Sequence, residues 1–409
     1  SPRLRSATEN CSQVPGRVWG SLRWRARWES RSPSTELHDM KIKKISVYHK
    51  DLPLAEPYWL SGGRLKFEVL DATFVRIDTD DAISGWGEGT PWGHTYVPAH
   101  GPGIRAGIET LAQVLIGADP RQSGRIEYLM DRTLPGHPYV KSPIDMACLD
   151  IAGQATGQSL PNLLGGCFGT PTRVMSSVSS GSPEYMVGLI KKYRERGYRG
   201  HSVKVGGSNT DLDIQRIRYV EEHRLSDERI LYDVNRAWTR REAAMVMNAV
   251  ADLGVTFEQP CETTDDIKAL RSVTRSPISV DETLVSVNDM ATIAREGIAE
   301  VANIKINRVG GLTKARRIRD LAIAHGIQIY VMATGGSAMA DAEAAALAQS
   351  TPEEFRLGCW ACQDMLTVDV APGRGPRSEN GDLFVPDQPG LGFAPDEKLL
   401  GDPVAVYGR

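Results

Sequence analysis

The sequence lacks any apolar run close to the roughly 20 residues that a membrane-spanning helix needs. It also lacks a strong charge of either sign, because 48 basic and 51 acidic residues leave a net charge of −3. A nearly balanced charge creates no global field that attracts nucleic acid or an anionic membrane. We therefore expect neither a nucleic-acid nor a membrane partner, and an acidic small-molecule substrate would need a local cation.

Cysteine is sparse, and nucleotide-binding motifs are missing. Six cysteines are scattered over 409 residues, which is not typical of a disulfide framework. Cys359 and Cys362 form a single CxxC, whereas a structural zinc site would need a second pair, so we interpret both as buried or incidental thiols. RVGGLTK lacks the spacing of a phosphate-binding loop, and no GxGxxG follows a first strand, so no nucleotide cofactor is expected.

Residues 1–39 differ in composition from the rest of the chain. They are rich in Arg and Ser and have neither a periodic apolar face nor the apolar core of a secretory signal. An Arg-rich, acid-poor composition also suits a transit peptide. We interpret the segment as an extraneous or disordered extension, because MKIKKISVYHK, from Met40, is typical of a natural start, and we expect a cytoplasmic protein.

Residues 40–165 combine strand-like and helical patterns. KIKKISVYHKDLPL and FEVLDATFVRIDTD alternate apolar and polar residues, as half-buried strands do. Residues 99–134 have helical spacing, and so does SPIDMACLDIAGQATGQSLPNLLGG, with Ser142 as the expected N-cap and Pro143 in the first turn. We predict an α+β domain that ends in a linking helix.

After Thr172, short apolar strands alternate with amphipathic helices. The predicted strands lie in RVMSSVSSG, HSVKVGG, RILYDVN, VTFEQPC, PISVDET, VANIKINRVGG, QIYVMATGG and, more weakly, FRLGCWACQD. Alternation predicts a parallel sheet with crossover helices, and eight repeats without a reversal favour a closed (β/α)8 barrel over residues 166–370. Residues 371–409 are rich in Gly and Pro, and we expect loops and short strands that return to the first domain.

Polar residues stand at the carboxyl ends of the predicted barrel strands, where such barrels carry their chemistry. In chain order they are Lys204, Asp233, Asn235, Glu258, Asp281 and Lys305. Neighbouring strands lie about 4.8 Å apart, so three carboxylates on consecutive strands would repel one another without a cation between them. We therefore predict that Asp233, Glu258 and Asp281 bind Mg²⁺, a hard cation that prefers oxygen ligands.

Lys204 and Lys305 flank this predicted metal from opposite sides of the ring. A metal that binds a substrate carboxylate stabilises the enediolate that forms when the α-proton leaves. A nearby cation lowers the pKa of a lysine, which suits it to act as a base near neutral pH. A single charged residue at a strand end is usually a solvated loop residue, so the prediction of α-proton abstraction depends on the joint pattern.

The pattern resembles the enolase superfamily over essentially the whole chain from Met40. GWGE is similar to a strand of that family's capping domain, and DVN, FEQP, VDET and IKINRVGGL are similar to its third to sixth barrel strands. Lysines on the second and sixth strands resemble the muconate lactonizing enzyme subgroup, since the mandelate racemase subgroup would carry a His after strand seven. The resemblance implies a modified (β/α)8 barrel, an α+β capping domain completed by the C-terminal segment, and a Mg²⁺ cofactor; we also expect a homo-oligomer.

The second barrel strand departs from the subgroup pattern. The subgroup usually has Lys-x-Lys there, and this chain has Ser202-Val203-Lys204. The resemblance assigns the base to Lys204, which is kept, whereas Ser202 replaces a lysine that supports the base electrostatically. The pKa of Lys204 is therefore the property that this departure affects.

Within the subgroup, HSVKVGG, VMATGGSA and LGCWACQDM resemble dehydratases that act on cis-3-hydroxy-L-proline. The hydroxyl of that amino-acid substrate is anti to the α-hydrogen, so a base and an acid on opposite faces suit elimination. Lys204 would take the α-proton, Lys305 would protonate the leaving hydroxyl, and the enamine would tautomerise to 1-pyrroline-2-carboxylate. The same lysines would invert Cα of a proline derivative without the hydroxyl, as an epimerase does.

Predicted substrate-binding residues lie mainly in loops that cover the barrel mouth in this superfamily and at barrel strand ends. They are Asn235, Tyr58, Trp59, Trp92, Thr334 and Trp360. Aromatic faces hold an ammonium by cation–π attraction, although packing between domains is the alternative. Two other functions stay open: an amino-acid-derivative or dipeptide epimerase, which usually has Asp-x-Asp where this chain has CWACQD, and a non-catalytic metal-binding homologue.

Overall fold

Three sheets organise residues 40–207 and 209–409, the part of the chain that the computed structural model describes. The predicted extension, residues 1–39, lies outside the described residues. The strands are β1 Ile42–Leu60, β2 Leu65–Thr79, β3 Ser84–Gly89, β4 Thr172–Arg173, β5 Met175–Val178, β6 Gly200–Lys204, β7 Arg229–Asp233, β8 Thr256–Glu258, β9 Ile278–Val280, β10 Val301–Lys305, β11 Gln328–Met332, β12 Arg356–Cys359, β13 Arg377–Glu379, β14 Asp382–Phe384 and β15 Ala405–Gly408.

Helices cover both the first sheet and the barrel. They are α1 Gly93–Tyr96, α2 Gly101–Leu115, α3 Ser123–Thr133, α4 Pro138–Thr156, α5 Leu160–Leu163, α6 Pro183–Glu195, α7 Thr210–Glu222, α8 Arg240–Ala249, α9 Thr264–Leu270, α10 Val287–Glu296, α11 Ile306–Val309, α12 Leu312–Ala324, α13 Ala338–Gln349 and α14 Glu397–Leu400. Among the residues described, no helix combines the length and the apolarity needed to cross a membrane.

The first sheet is antiparallel, in the order β15-β1-β2-β3. The alternating sequence patterns form its two long strands, which pair from Ile42 opposite Thr79 to Leu60 opposite Leu65. The pairing has one large irregularity, between Pro53 and Tyr58. The C-terminal strand β15 pairs with β1, so the end of the chain completes this sheet, whereas the β13–β14 hairpin pairs with β4.

The second sheet contains eight strands in the order β5 to β12. All neighbours within it are parallel, as in β6–β7 and β10–β11. A parallel bridge between Val174 and Cys359 joins the start of the first strand to the last one. This arrangement confirms the predicted barrel, including its weak eighth strand, because parallel strands joined by crossover helices close on themselves at this number.

Helix α4 corrects one local prediction. The helix begins at Pro138 after His137, so Ser142 is not its N-cap and Pro143 lies inside it rather than in its first turn. Pro138 already occupies the first turn, where a missing N–H costs nothing. The glycines of β3 allow the strand to pack directly against α4, because they carry no side chain. A Cβ atom at Gly87 would lie 1.9 Å from the carbonyl oxygen of Pro143 and would clash with it.

The cysteines of the CxxC motif are buried free thiols, in agreement with their interpretation from sequence. Burial raises the pKa of both Cys359 and Cys362 above the ordinary thiol value. Protonated, buried thiols behave as small apolar side chains. The motif therefore belongs to the packing between β12 and its neighbours.

Candidate active site

Strand register brings the predicted catalytic groups to one end of the barrel. Lys204 is directly opposite Asp233, and Asp233 is directly opposite Glu258. Asp281 follows the last residue of β9, and Lys305 is the last residue of β10. All five side chains are buried, because the barrel rim is covered by the first sheet and its loops.

Each lysine forms an ion pair with a neighbouring carboxylate. Lys204 Nζ donates to Asp233 Oδ2, and Lys305 Nζ donates to Asp281 Oδ2 at 2.7 Å. Arg308 Nη1 also donates to Asp281, at 2.6 Å on Oδ1. The two carboxylates thereby hold two ammonium groups at the barrel mouth in fixed directions.

The charges around Lys204 act against the predicted lowering of its pKa. Burial is the largest single influence and lowers this pKa, but Asp233, Tyr58 and Glu258 together outweigh burial and raise it above the ordinary lysine value. Burial opposes ionisation of Asp281, yet Arg308 and Lys305 hold the pKa of that carboxyl below its usual range. Among the protein groups alone, Lys204 is therefore a cation and Asp281 an anion.

The surroundings of Glu258 show whether these three carboxylates suit a metal ion. Among the described residues, no three His, Cys, Asp or Glu side chains are gathered in a geometry ready to hold an ion; Asp233 and Asp281 turn toward the lysines instead. Glu258 Oε2, however, is buried without a hydrogen-bond partner in the described part of the chain. Burial and then the charges of Asp233 and Asp281 raise the pKa of Glu258, so the oxygen-only donor set fits a Mg²⁺ ion that would relieve this repulsion.

Tyr96 is a site residue beyond those predicted to bind substrate from the sequence. Its hydroxyl accepts a hydrogen bond from Lys305 Nζ at 2.8 Å and donates to Glu282 Oε1 at 2.9 Å. Burial, together with Asp281 and Glu282, raises its pKa well above the ordinary tyrosine value. Tyr96 belongs to no motif and no periodic pattern, so a single sequence gives little signal for its role.

A small cavity of about 40 Å³ lies between the two lysines. Four predicted substrate-binding residues line it: Tyr58, Trp92, Thr334 and Trp360. The Trp92 and Trp360 rings meet edge-on with centroids 5.6 Å apart. Ser202 also lines the cavity, so a hydroxyl occupies the position where the subgroup carries a lysine.

Two predicted substrate-binding residues lie elsewhere. Trp59 is 41% exposed and its ring lies under Lys66, because successive residues of a strand face opposite sides and Tyr58 takes the inner one. Asn235 is buried, and its Nδ2 donates at 3.1 Å to Glu282 Oε1, the atom that also accepts from the Tyr96 hydroxyl. The structure therefore places Trp59 on an exposed face, and it connects Asn235 to the cavity only through Glu282 and Tyr96.

The sequence matches two parts of one family. Residues 44–165 match the mandelate racemase/muconate lactonizing enzyme N-terminal domain, and residues 185–399 match the family described as enolase C-terminal domain-like. A cis-3-hydroxy-L-proline dehydratase from Roseibium aggregatum is 42% identical over 90% of this chain and 100% of that protein. An N-succinyl-L-Arg/Lys racemase from Bacillus cereus is 33% identical over 71% of this chain and 79% of that protein.

Solved structures agree with these matches. A protein of the mandelate racemase/muconate lactonizing enzyme type from Silicibacter pomeroyi is 58% identical with a TM-score of 0.87, covering 90% of this chain and 100% of that chain. A member from Roseovarius nubinhibens, complexed with magnesium, is 48% identical with a TM-score of 0.87 over the same shares of both chains. Magnesium is typical of the family. With the barrel, its capping sheet and the paired lysines and carboxylates in place, this chain is an enzyme of the enolase superfamily, in the muconate lactonizing enzyme subgroup.

Proposed function

We propose that this enzyme dehydrates cis-3-hydroxy-L-proline to 1-pyrroline-2-carboxylate. The observation that carries the proposal is the position of Lys204 and Lys305, which end two non-adjacent strands, β6 and β10, and line one cavity. An elimination in which the α-hydrogen and the hydroxyl leave from opposite faces needs a base and an acid in this relation. The dehydratase from Roseibium aggregatum, 42% identical to this chain, supports the choice of substrate.

Asp233, Glu258 and Asp281 would hold a Mg²⁺ ion in the proposed enzyme. When bound, the ion supplies electrophilic stabilisation of the negative charge that develops on the substrate carboxylate. The protein contributes a buried, water-poor wall around these three carboxylates. In such surroundings, fixed charges act more strongly than they do in water.

The two lysines have separate proposed roles. Asp233 favours the charged form of Lys204, so Lys204 Nζ first releases a proton to solvent and then, as the neutral amine, accepts the α-proton. Lys305 Nζ is hydrogen-bonded to Asp281 and Tyr96 and donates a proton to the hydroxyl that leaves as water. The enamine then tautomerises to the cyclic imine.

The aromatic lining of the cavity favours a cationic substrate. Trp92 and Trp360 form one wall of the cavity, and their rings meet edge-on with centroids 5.6 Å apart. Aromatic faces can stabilise the ring ammonium of a proline derivative. This lining supports a proline-type substrate.

An epimerase is the second candidate function. The same opposed lysines would remove the α-proton of a proline derivative on one face and return a proton on the other. The racemase from Bacillus cereus, 33% identical to this chain, supports this alternative. In a substrate without a 3-hydroxyl, inversion replaces elimination, so both activities can belong to one site.

The test uses Mg²⁺, cis-3-hydroxy-L-proline and D₂O, followed by ¹H NMR. The proposal requires water loss from the substrate in the wild-type enzyme. Lys204→Ala should remove α-deuterium exchange and dehydration together, whereas Lys305→Ala should remove dehydration and keep measurable exchange. If the wild-type enzyme neither releases water nor exchanges the α-hydrogen of any proline derivative, the proposed substrate class is wrong.

A further inference from the structure

Thr334 combines a strained backbone with a place in the catalytic cavity. It follows β11, and it lines the cavity together with Lys305. Its φ angle is +154°, a conformation that a β-branched residue rarely adopts, because the branched side chain then crowds its own backbone. Strained residues persist where the surrounding structure holds them, and they are frequent at sites that contact ligands. The Thr334 side chain is therefore a candidate for a specific contact with the substrate.

The phenol of Tyr139, on helix α4, binds the Thr334 hydroxyl. The two oxygen atoms lie 3.2 Å apart, and both residues are buried. Burial raises the pKa of Tyr139 to about 12, so its hydroxyl keeps a proton near neutral pH. Thr334 is thus held in place by a phenol that can act as a hydrogen-bond donor.

The direction of this hydrogen bond follows from the partners of the two hydroxyls. Within residues 40–207 and 209–409, the Tyr139 hydroxyl has no hydrogen-bond partner other than Thr334. If Thr334 were the donor, the buried phenol proton would have no acceptor there, and an unpaired buried donor costs free energy. Tyr139 therefore donates and Thr334 Oγ1 accepts. The proton of the Thr334 hydroxyl stays available for an acceptor in the cavity.

Thr334 and Lys305 lie on the same side of the cavity. Lys305 ends β10, which pairs in parallel with β11, and the Asn307 N–H donates to the carbonyl oxygen of Ala333 at 3.1 Å. The two chain segments therefore stay paired up to the residue before Thr334. Lys204 ends the second strand of the barrel sheet, whereas β10 and β11 are its sixth and seventh. A ligand oxygen that faces Lys305 can therefore meet the Thr334 hydroxyl as well.

In the proposed dehydration, the leaving hydroxyl is on the face opposite the α-hydrogen and so faces Lys305. Its oxygen accepts the proton of Lys305 as the bond to C3 breaks, and it has a further lone pair for a second donor. We propose that the Thr334 hydroxyl donates a hydrogen bond to this oxygen and that Tyr139 positions Thr334 for the contact. Thr334 transfers no proton; it stabilises the negative charge that develops on the leaving oxygen. The inference rests on the proposed function for the identity of the ligand.

This contact decides between elimination and inversion at a single site. Lys204 removes the α-proton without any contribution from the 3-hydroxyl, whereas cleavage of the C3–O bond depends on the donors around that oxygen. A donor that acts only on the leaving oxygen speeds water loss relative to the return of a proton to Cα. Thr334 is then the residue that determines which reaction follows proton abstraction.

Thr334→Val and Thr334→Ser test the role of the hydroxyl, because only the serine variant keeps it. With Mg²⁺ and cis-3-hydroxy-L-proline in D₂O, ¹H NMR gives the ratio of water loss to α-deuterium exchange. We expect the ratio to fall about tenfold or more in Thr334→Val and to stay within about threefold of the wild-type value in Thr334→Ser. Thr351→Val is the control, since it removes a buried hydroxyl that bonds to the Leu347 carbonyl of α13, and it should leave the ratio unchanged. An unchanged ratio in Thr334→Val, or an equal loss of both reactions, overturns the proposal.

Tyr139→Phe tests the positioning role. Thr334 then loses the partner that fixes its hydroxyl, so the ratio of water loss to exchange should fall about threefold or more. Tyr232→Phe is the matched control, because it removes another buried phenol hydroxyl, which bonds to Glu221 at 3.0 Å on the other face of the barrel wall. A loss of stability in Tyr139→Phe without a change in the ratio would contradict the positioning of Thr334 by Tyr139.

A binding measurement in the Lys204→Ala background needs no turnover. Calorimetric titration of the Mg²⁺-loaded protein with cis-3-hydroxy-L-proline and with L-proline gives the affinity that the 3-hydroxyl contributes. Adding Thr334→Val should reduce this preference about threefold or more and leave the affinity for L-proline unchanged. A Thr334-dependent preference in an enzyme that does not dehydrate would contradict the proposed function alone. An unchanged preference, or no binding of either ligand, contradicts the contact between Thr334 and the 3-hydroxyl.

Discussion

Lys305 Nζ and the Tyr96 hydroxyl lie 2.8 Å apart, so helix α1 of the first domain directly contacts a barrel lysine. The contact explains why the capping sheet and the barrel form one catalytic unit. The barrel supplies Lys305 and Asp281, and α1 supplies the phenol that bonds to both. The acid group of the proposed reaction is therefore positioned by both parts of the fold.

Tyr96→Phe should lower kcat by about 10- to 100-fold, since hydrogen bonds to charged groups contribute about 1.5–3 kcal/mol. KM should change less than kcat, because the Tyr96 hydroxyl bonds to Lys305 and so affects the acid group more than substrate binding. Steady-state kinetics on cis-3-hydroxy-L-proline measure both constants. Tyr128→Phe is the control, as Tyr128 is exposed; equal kcat for both variants and the wild-type enzyme would show that the contact has no catalytic role.

Glu258→Gln should weaken Mg²⁺ binding about tenfold or more, because it removes one of three charges in the proposed oxygen donor set. In metal-free buffer the same variant should be at least as stable as the wild-type enzyme, since Glu258 is buried near Asp233 and Asp281, whose charges raise its pKa. Calorimetric titration and thermal unfolding measure these two effects. Glu343→Gln, which replaces another buried carboxylate without hydrogen-bond partners among the described residues, should leave Mg²⁺ affinity unchanged.

Trp59→Ala and Trp92→Ala should have different effects on KM, although the sequence predicted both tryptophans to bind substrate. Trp92 lines the cavity and contacts Trp360, so its truncation should raise KM about tenfold or more, in line with a lost cation–π and packing contact. Trp59 lies on the exposed side of β1, and KM should stay within about twofold. Equal increases in KM would mean that Trp59 reaches the substrate.

Stability should decrease as the pH falls from 7 toward 5, with His201 as one cause. Burial lowers the pKa of His201 in the folded protein, although Glu228 partly opposes this. Below the unfolded-state pKa of about 6.5 the unfolded chain binds a proton that the folded protein does not, so the stabilisation is complete above that pH and is lost as pH falls toward the folded-state value.

His201 faces Ser176 and Glu228, with Arg194 bound to the same glutamate. Burial raises the pKa of Glu228, but Arg194, the Leu225 backbone N–H and His201 together outweigh burial and lower this pKa below its ordinary value. The stabilisation that Glu228 contributes is therefore lost only at lower pH. Urea unfolding between pH 5 and 7 should show a shallower pH dependence in His201→Gln than in the wild-type enzyme. An unchanged slope would assign the effect to other groups.

Gly87→Ala should destabilise the enzyme by about 2 kcal/mol or more, because overpacking forces the backbone apart. The new Cβ would lie 1.9 Å from the carbonyl oxygen of Pro143, which belongs to a buried helix. Gly188→Ala, in the middle of α6 with open space around it, should instead stabilise by about 0.5–1 kcal/mol. Chemical denaturation of the two variants measures this difference in sign.

The sequence by itself determined the barrel and the position of five charged residues at or next to the carboxyl ends of its strands. Apolar strands alternating with helices leave only a parallel sheet with crossovers, and parallel strands bring their carboxyl ends to one side. Lys204, Asp233 and Glu258 therefore meet across paired strands as their spacing predicted. Local periodicity decides these features, since each depends on residues within a single strand.

The tertiary structure decided what depends on contacts between distant segments. The strand alternation around Tyr58 and Trp59 does not say which face is inner, and only packing on Trp92 and Ser177 settles it. Tyr96 is distant in sequence from Lys305 and forms no motif with it. The charges that raise the pKa of Lys204 likewise arise from side chains that meet only after the first sheet closes over the barrel.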